Sequence, residues 1–237
     1  MIEIFKKEVK QFFVSPMGYI IIAVYVFVSS LYFCTLNLTG FLVELSYDFA
    51  FQADWILMFM IPMLTMRMLA DERKTKTDQL LLTSPVSVAE IVIGKYLAAM
   101  LLFLICLTVN VVFFVVVSTH SATVLWGEFL CNMIGMILLG GALISIDLFM
   151  SSLTESQLIA AFTAIGVNIL MLITRSYVST IKSGIVQFLV SLISVFKRFY
   201  ESFSLGVFSI SDFVYYLSFT LLFIFLTTQM IEKRRWS

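Results

Sequence analysis

The sequence predicts an all-α, polytopic integral membrane protein with six transmembrane helices. Of its 237 residues, 61% are hydrophobic and 13% are charged. Soluble domains have about 45–50% apolar and about 25% charged residues. The mean hydropathy is +1.04, and so few charges cannot solvate the surface of a compact domain of this size. The composition therefore excludes a soluble enzyme, a disordered chain and a disulfide scaffold.

Six apolar stretches are long enough to cross a bilayer as helices, which takes about 20 residues each. They comprise residues 17–38, 51–70, 91–117, 125–150, 156–175 and 212–231. Continuous apolar runs of this length do not fit a transmembrane barrel, whose strands alternate apolar and polar side chains. We therefore expect a single transmembrane domain over residues 1–237.

The distribution of lysine and arginine predicts the orientation, because cytoplasmic loops carry an excess of both. Basic residues cluster near both termini and between spans two and three, whereas residues 39–50 and 118–124 contain none. With six spans, both termini and the loop at 71–90 are expected in the cytoplasm. The segment at 176–211 is then external, although it also contains basic residues. Three tryptophans fall at predicted span ends, as an interfacial belt requires: Trp55, Trp126 and Trp236.

Residues 1–15 predict an amphipathic helix that lies at the membrane interface before the first span. Three lysines and Glu8 occupy its polar face. The proline at position 16 disfavours helix at Ser15 and should end this helix. The apolar stripe consists of Ile2, Phe5, Val9, Phe12 and Phe13.

The loop at 71–90 combines charge, threonine and an apolar triplet, which predicts a short amphipathic helix at about 77–83. Pro85 disfavours helix at the preceding residue, so this helix should end there. Ser87 and Glu90 form a capping-box pattern that could start the third span. Residues 185–199 repeat apolar side chains at helical spacing, and we expect an external helix lying on the membrane or dipping partly into it.

The sequence offers no catalytic chemistry. The single histidine, His120, lies in a short predicted external loop and has no second histidine to act with. No residues show metal-ligand spacing, and Gly94-Lys95 lacks both the upstream glycine and the following Ser or Thr of a phosphate-binding loop. We therefore expect no catalytic residue, metal or cofactor in this chain. Fifteen basic and fifteen acidic residues balance, so net charge indicates no nucleic-acid partner.

Several polar and small residues fall inside predicted spans, where polar groups usually have a function. Asp147 and Arg67 are expected at similar depth, which suggests a structural ion pair. Two independent interfacial side chains or a proton relay are the alternatives. Asn110, Asn132 and Asn168 could bridge helices or line a pathway. Runs of glycine and alanine in spans four and five could serve packing within the chain or a dimer interface.

Residues 66–99 read MRMLADERKTKTDQLLLTSPVSVAEIVIGKYLAA. This stretch resembles the signature region of type-2 ABC transporter permeases, closest to the gliding-motility-associated and copper-enzyme-maturation type. Residues 199–217 resemble the segment before the last span of that family, and the N-terminal helix resembles its elbow helix. The resemblance implies a permease subunit in the bacterial cytoplasmic membrane, which exports a substrate together with a second permease copy or a sister permease.

The resemblance also implies that separate ATPase subunits, which bind ATP and Mg, dock on a coupling helix at about 77–86. The alternative for this loop is a solvated charged turn, which does not explain three consecutive leucines. For the whole chain the alternatives are a stand-alone secondary transporter, a membrane hydrolase, and a membrane anchor for an ATPase-driven surface machine. The residues implicated in coupling are Asp71, Glu72, Thr77, Leu80, Leu81, Leu82, Thr83, Ser84, Pro85 and Gly94.

Overall fold

The computed structural model describes residues 1–38, 45–76, 87–120, 126–177, 190 and 193–235, and the regular secondary structure in these ranges is entirely helical. Six helical stretches are long and apolar enough to cross a membrane. They are Pro16–Phe33, Leu45–Lys74, Val88–Thr119, Trp126–Leu153, Gln157–Tyr177 and Ile210–Lys233. The predicted all-α class and its six spans are therefore confirmed.

Nine α-helices form the described part of the chain. Two π-helical turns continue the helices before them: Cys34–Leu38 follows the helix Pro16–Phe33, and Gln52–Ile56 joins the helix Leu45–Phe51 to the helix Leu57–Lys74. The second span therefore starts at Leu45, before the predicted residue 51. Trp126 begins a helix as expected, but Trp55 lies inside the second span and Trp236 lies outside the described residues. The helices are α1 (Ile2–Val14), α2 (Pro16–Phe33), α3 (Leu45–Phe51), α4 (Leu57–Lys74), α5 (Val88–His120), α6 (Trp126–Leu153), α7 (Gln157–Tyr177), α8 (Val195–Glu201) and α9 (Ile210–Arg235).

The connection between α1 and α2 confirms the predicted break. Ser15 has extended backbone, its hydroxyl accepts a hydrogen bond from the Met17 N–H at 3.1 Å, and Pro16 begins α2. Proline suits this position, because the first helical N–H has no partner within the helix. A β-carbon on Gly18 would lie 2.5 Å from the Phe12 carbonyl oxygen. Only glycine lets the two helices approach this closely.

The helix α6 lies at the centre of the bundle and packs against α4, α5, α7 and α9. Its buried side chains include Leu139, Leu143 and Ile144, each fully shielded from solvent. A methyl group on Gly140 would overlap the ring of Phe103. The small residues of span four therefore serve packing within the chain, which is one of the two uses that the sequence suggests.

The segment at 176–211 is described just before the last span, and the aromatic residues of this part are buried in the bundle. Phe196 and Phe199 of α8, and Phe203 in the short 3₁₀ turn that follows, have no exposed surface. A β-carbon on Gly135 would lie 2.5 Å from the Phe203 β-carbon, so the glycine gives Phe203 the space to pack against α6. These residues therefore pack against other helices rather than on the membrane surface.

Candidate functional site

Charged groups from three helices meet at the end of the bundle where α4 ends and α5 begins. Lys95, near the start of α5, has 1% of its side chain exposed. Its Nζ lies 2.7 Å from Glu8 Oε1 of α1 and 2.9 Å from Glu72 Oε1 of α4. Nζ also donates to the Met68 carbonyl oxygen at 2.7 Å. We call these four residues the Lys95 junction.

Burial of the lysine is stabilised by this set of partners. An ammonium group removed from water loses several kcal/mol of solvation unless it is paired and hydrogen-bonded. Lys95 has three N–H donors, and the two carboxylates and the carbonyl oxygen supply three acceptors. Lys7 adds a second cation 3.3 Å from Glu72 Oε1. Two lysines thus face two glutamates, and the junction has balanced charge.

Gly94 lies beside the junction and lets α1 rest directly on α5. A β-carbon on Gly94 would lie 3.3 Å from the β-carbon of Ile4. Ile4 and Glu8 are the buried residues of α1 and lie one turn apart on the face toward the bundle. The predicted site residue Gly94 therefore has a packing role in the structure, against α1.

The end of α4 is also bound to the connection between α6 and α7. Arg73 donates to the Ser152 carbonyl oxygen at 3.2 Å, and its second terminal nitrogen lies 3.0 Å from Glu155 Oε1. Gln157 donates to Asp71. Thus Asp71 contacts the start of α7, whereas Glu72 faces α1 and α5. The predicted coupling residues Asp71 and Glu72 anchor the end of span two on two different sides.

Seven predicted coupling residues lie outside the described residues: Thr77, Leu80, Leu81, Leu82, Thr83, Ser84 and Pro85. Both flanks of this segment are described. Lys76 has a φ of 56°, and its N–H donates to the Arg73 carbonyl oxygen at 3.1 Å. A left-handed residue just after a helix is a common way to end it. On the other side, the Glu90 N–H donates to the Ser87 hydroxyl at 3.3 Å, which confirms the predicted N-terminal cap of span three.

The structure does not form the predicted ion pair between Arg67 and Asp147. Arg67 Nε lies 3.4 Å from Asp71 Oδ2. Asp147 is buried and accepts a hydrogen bond from the Asn168 side chain at 3.2 Å. Arg67 and Asp147 thus have separate partners. Depth can be estimated from sequence, whereas the direction in which a side chain points depends on packing.

Sequence reasoning missed the role of Glu8, which it placed on the polar face of α1. The helical pattern gives the correct helix, but it does not show which face meets another helix. One signal was available. Lys95 lies inside the apolar stretch at 91–117, and a lysine there requires a carboxylate partner from another helix.

Other buried polar groups join spans one, two and three. The Tyr25 hydroxyl donates to Gln52 Oε1 at 2.6 Å, and Gln52 Nε2 donates to Asn110 Oδ1 at 2.7 Å. Asn110 therefore bridges helices, which is one of the two uses that its position in the sequence suggests. In an apolar environment such polar groups must satisfy one another. These contacts fix the relative positions of α2, the π-helical turn at Gln52–Ile56 and α5.

A second charged cluster lies at the opposite end of the bundle. Arg175 at the end of α7 lies 3.1 Å from Asp54 Oδ2 and stacks on the Tyr200 ring at 3.4 Å. Partial burial of Tyr200 raises the pKa of its hydroxyl, chiefly through loss of water contact. Arg198 of α8 lies 2.8 Å from Asp212 Oδ1 of α9. The ring contact attaches α8 to span five, the Tyr200 hydroxyl attaches it to span two by donating to the Ala50 carbonyl oxygen, and the Arg198–Asp212 pair attaches it to span six.

Comparison with known families gives one match that covers almost the whole chain. A sequence model described as ABC-2 family transporter protein matches residues 2–235. No individual curated protein matches the chain by sequence. The matched region contains α1, the Lys95 junction and all six spans.

Proposed function

We propose that a separate ATPase subunit drives this chain to export a substrate. The proposal starts from its family: the chain belongs to the ABC-2 family of transporter proteins and is thus a membrane permease subunit of an ABC transporter. ATP and Mg bind to that partner, and this chain contributes no catalytic group. A second permease copy, identical or related, completes the pathway. Both termini and the loop at 71–90 face the cytoplasm of a bacterium, because basic residues cluster near both termini and at residues 73–76.

The observation that supports this proposal is the position of the Lys95 junction. In the sequence, residues 77–86 lie between the end of α4 and the start of α5. Glu72 lies near one end of this segment and Lys95 follows the other, and their charged atoms are 2.9 Å apart. A force on residues 77–86 therefore acts on two spans that are already joined to each other.

The junction also extends the movement to other helices. Glu8 binds α1 to Lys95, and Arg73 binds α4 to the connection between α6 and α7. Packed helices shift as discrete bodies, because a close-packed interior does not deform continuously. Closure of the ATPase on ATP would thus tilt spans two and three and change the population of pathway states.

Co-purification with an ABC ATPase tests the proposal. The full chain would be co-expressed with a candidate ATPase and isolated in detergent, and ATP turnover would be measured. Leu81→Asp places a charge on the expected docking segment. Leu205→Asp makes the same change at the opposite end of the bundle, where Leu205 is 69% exposed.

We expect wild type and Leu205→Asp to retain the ATPase, and Leu81→Asp to lose either the complex or its coupled turnover. A folded wild-type chain that retains no ATPase would refute the proposal. A stand-alone transporter would then be the better explanation.

A further inference from the structure

A groove runs along the surface of the bundle between α2 and α4. Its apolar part has a volume of about 250 Å³, slightly below the range of about 300–1,000 Å³ that is usual for small-molecule pockets. Ile20 and Val24 of α2 form one wall, and Phe59 and Met63 of α4 form the other. Each of these four side chains is between 41% and 56% exposed, so the groove opens toward the surrounding membrane.

The groove continues into a smaller polar cavity at its end near the Lys95 junction. Met63 lines both parts, and the polar cavity also contacts Met17, Arg67 and Asp71. Phe59, Met63 and Arg67 follow one another at intervals of four residues and therefore lie along one face of the helix. Met63 thus connects the apolar and polar parts.

The length of the groove matches one leaflet of a bilayer. From Trp55, at its far end, to Arg67 the chain rises about 18 Å at 1.5 Å per residue. Half of a hydrocarbon core of about 30 Å is about 15 Å. An acyl chain that begins beside Arg67 would therefore reach Trp55 near the middle of the bilayer.

The charges at the polar end match a headgroup that carries both signs. Lys95 is bound by Glu8 and Glu72, which leaves Arg67 and Asp71 as the other charged pair that lines the polar cavity. Their side chains are 38% and 27% exposed. The Arg67 guanidinium can bind a lipid phosphate, which it recognises through paired N–H donors. The Asp71 carboxylate can bind an ammonium group.

We propose that this groove holds one zwitterionic phospholipid, with an acyl chain between α2 and α4, its phosphate on Arg67 and its ammonium group on Asp71. The occupant comes from the same leaflet as the Lys95 junction. This inference is independent of the proposed function, because it concerns a lipid site on the permease alone.

Quenching of tryptophan fluorescence by brominated lipids tests the proposal, because Trp55 lines the groove. The chain has three tryptophans. Trp126→Phe with Trp236→Phe leaves Trp55 as the reporter of the groove. Trp55→Phe with Trp236→Phe leaves Trp126, which is 61% exposed and reports the general lipid surface. Each full-length variant is reconstituted into mixtures of phosphatidylethanolamine and phosphatidylglycerol, with one component brominated. Separate samples carry the bromines near the headgroup end of the acyl chains, to reach Trp126, and near the chain ends, to reach Trp55.

We expect the quenching of Trp55 to show that phosphatidylethanolamine is enriched at the groove about threefold over its mole fraction in the bilayer. An enrichment of this size corresponds to the interaction free energy of one partly exposed ion pair. Quenching of Trp126 should follow the mole fraction. Arg67→Gln and, independently, Asp71→Asn should remove the enrichment at Trp55. Lys10→Gln removes an exposed charge of α1 and should leave the enrichment intact.

Four results would overturn the proposal. They are a phosphatidylethanolamine preference at Trp55 no greater than that at Trp126, a preference for phosphatidylglycerol, enrichment that survives both Arg67→Gln and Asp71→Asn, and a Trp55 that no lipid quenches. The last result would mean that a second copy of the chain, rather than a lipid, covers the groove.

Discussion

Replacement of Lys95 by methionine should destabilise the protein by about 3–5 kcal/mol. Methionine has a similar length but no charge, so Glu8, whose side chain is 5% exposed, would remain as a buried carboxylate without its cation. Breaking a buried pair by removing one partner costs about this much, because the remaining charge stays desolvated. For a chain of this length the loss corresponds to an unfolding temperature lower by roughly 10 °C.

The buried thiol of Cys106 provides the assay. Cys106 has no exposed surface, so a thiol-reactive fluorogenic dye reports unfolding in detergent once Cys34 and Cys131 are replaced by alanine. Lys197→Met is the matched control. Lys197 Nζ lies 3.5 Å from Glu201 Oε1, and Glu201 is 62% exposed. An exposed pair of this kind contributes about 0–1 kcal/mol, so the control should unfold close to wild type.

The double variant Lys95→Met with Glu8→Gln separates loss of the ion pair from loss of packing. A neutral glutamine leaves no unpaired charge, so the double variant should unfold above Lys95→Met alone. Glu72 retains Lys7 as a partner in both variants. If Lys95→Met unfolds at the wild-type temperature, or if Glu8→Gln lowers stability further in the double variant, then the reasoning about the junction is wrong.

Three further outcomes follow from the packing and from the charged contacts. Gly140→Ala should lower the free energy of unfolding by about 1–3 kcal/mol through overpacking. Gly166→Ala should not, because its added methyl group would point into open space, and thermal unfolding of the two variants compares these effects. Arg175→Gln should speed hydrogen exchange in α8, because it removes an ion pair and a ring contact; unchanged exchange would contradict this. Exchanging the charges of Arg67 and Asp147 together should be no better tolerated than either single exchange in the same unfolding assay, since the two do not pair.

The six spans and the break before the first span could be predicted because each depends on local properties. Apolar length determines whether a helix can cross a bilayer. The proline at position 16 constrains the residue before it whatever the rest of the chain does. The same holds for the cap at Ser87, whose hydroxyl lies 3.3 Å from the Glu90 nitrogen.

The contacts between helices could not be predicted, because they depend on how each helix is rotated in the bundle. Glu8 lies among lysines in the sequence, yet the structure buries it against α5. Residues 185–199 read as an amphipathic surface helix, since a membrane interface and a groove between helices select the same pattern. The Lys95 junction needs three helices to converge, and no single segment of sequence contains it.

Photo-crosslinking from Leu81 tests most directly whether residues 77–86 dock an ATPase. A photoreactive phenylalanine analogue at Leu81 would be irradiated in intact cells, and the captured protein would be identified by mass spectrometry. The same analogue at Phe162, which is 73% exposed on the surface of a span, is the control. The account predicts capture from Leu81, but not from Phe162, of a protein that carries the GxxxxGK[ST] phosphate-binding loop. A Leu81 variant that folds, reacts and captures no such protein would contradict it.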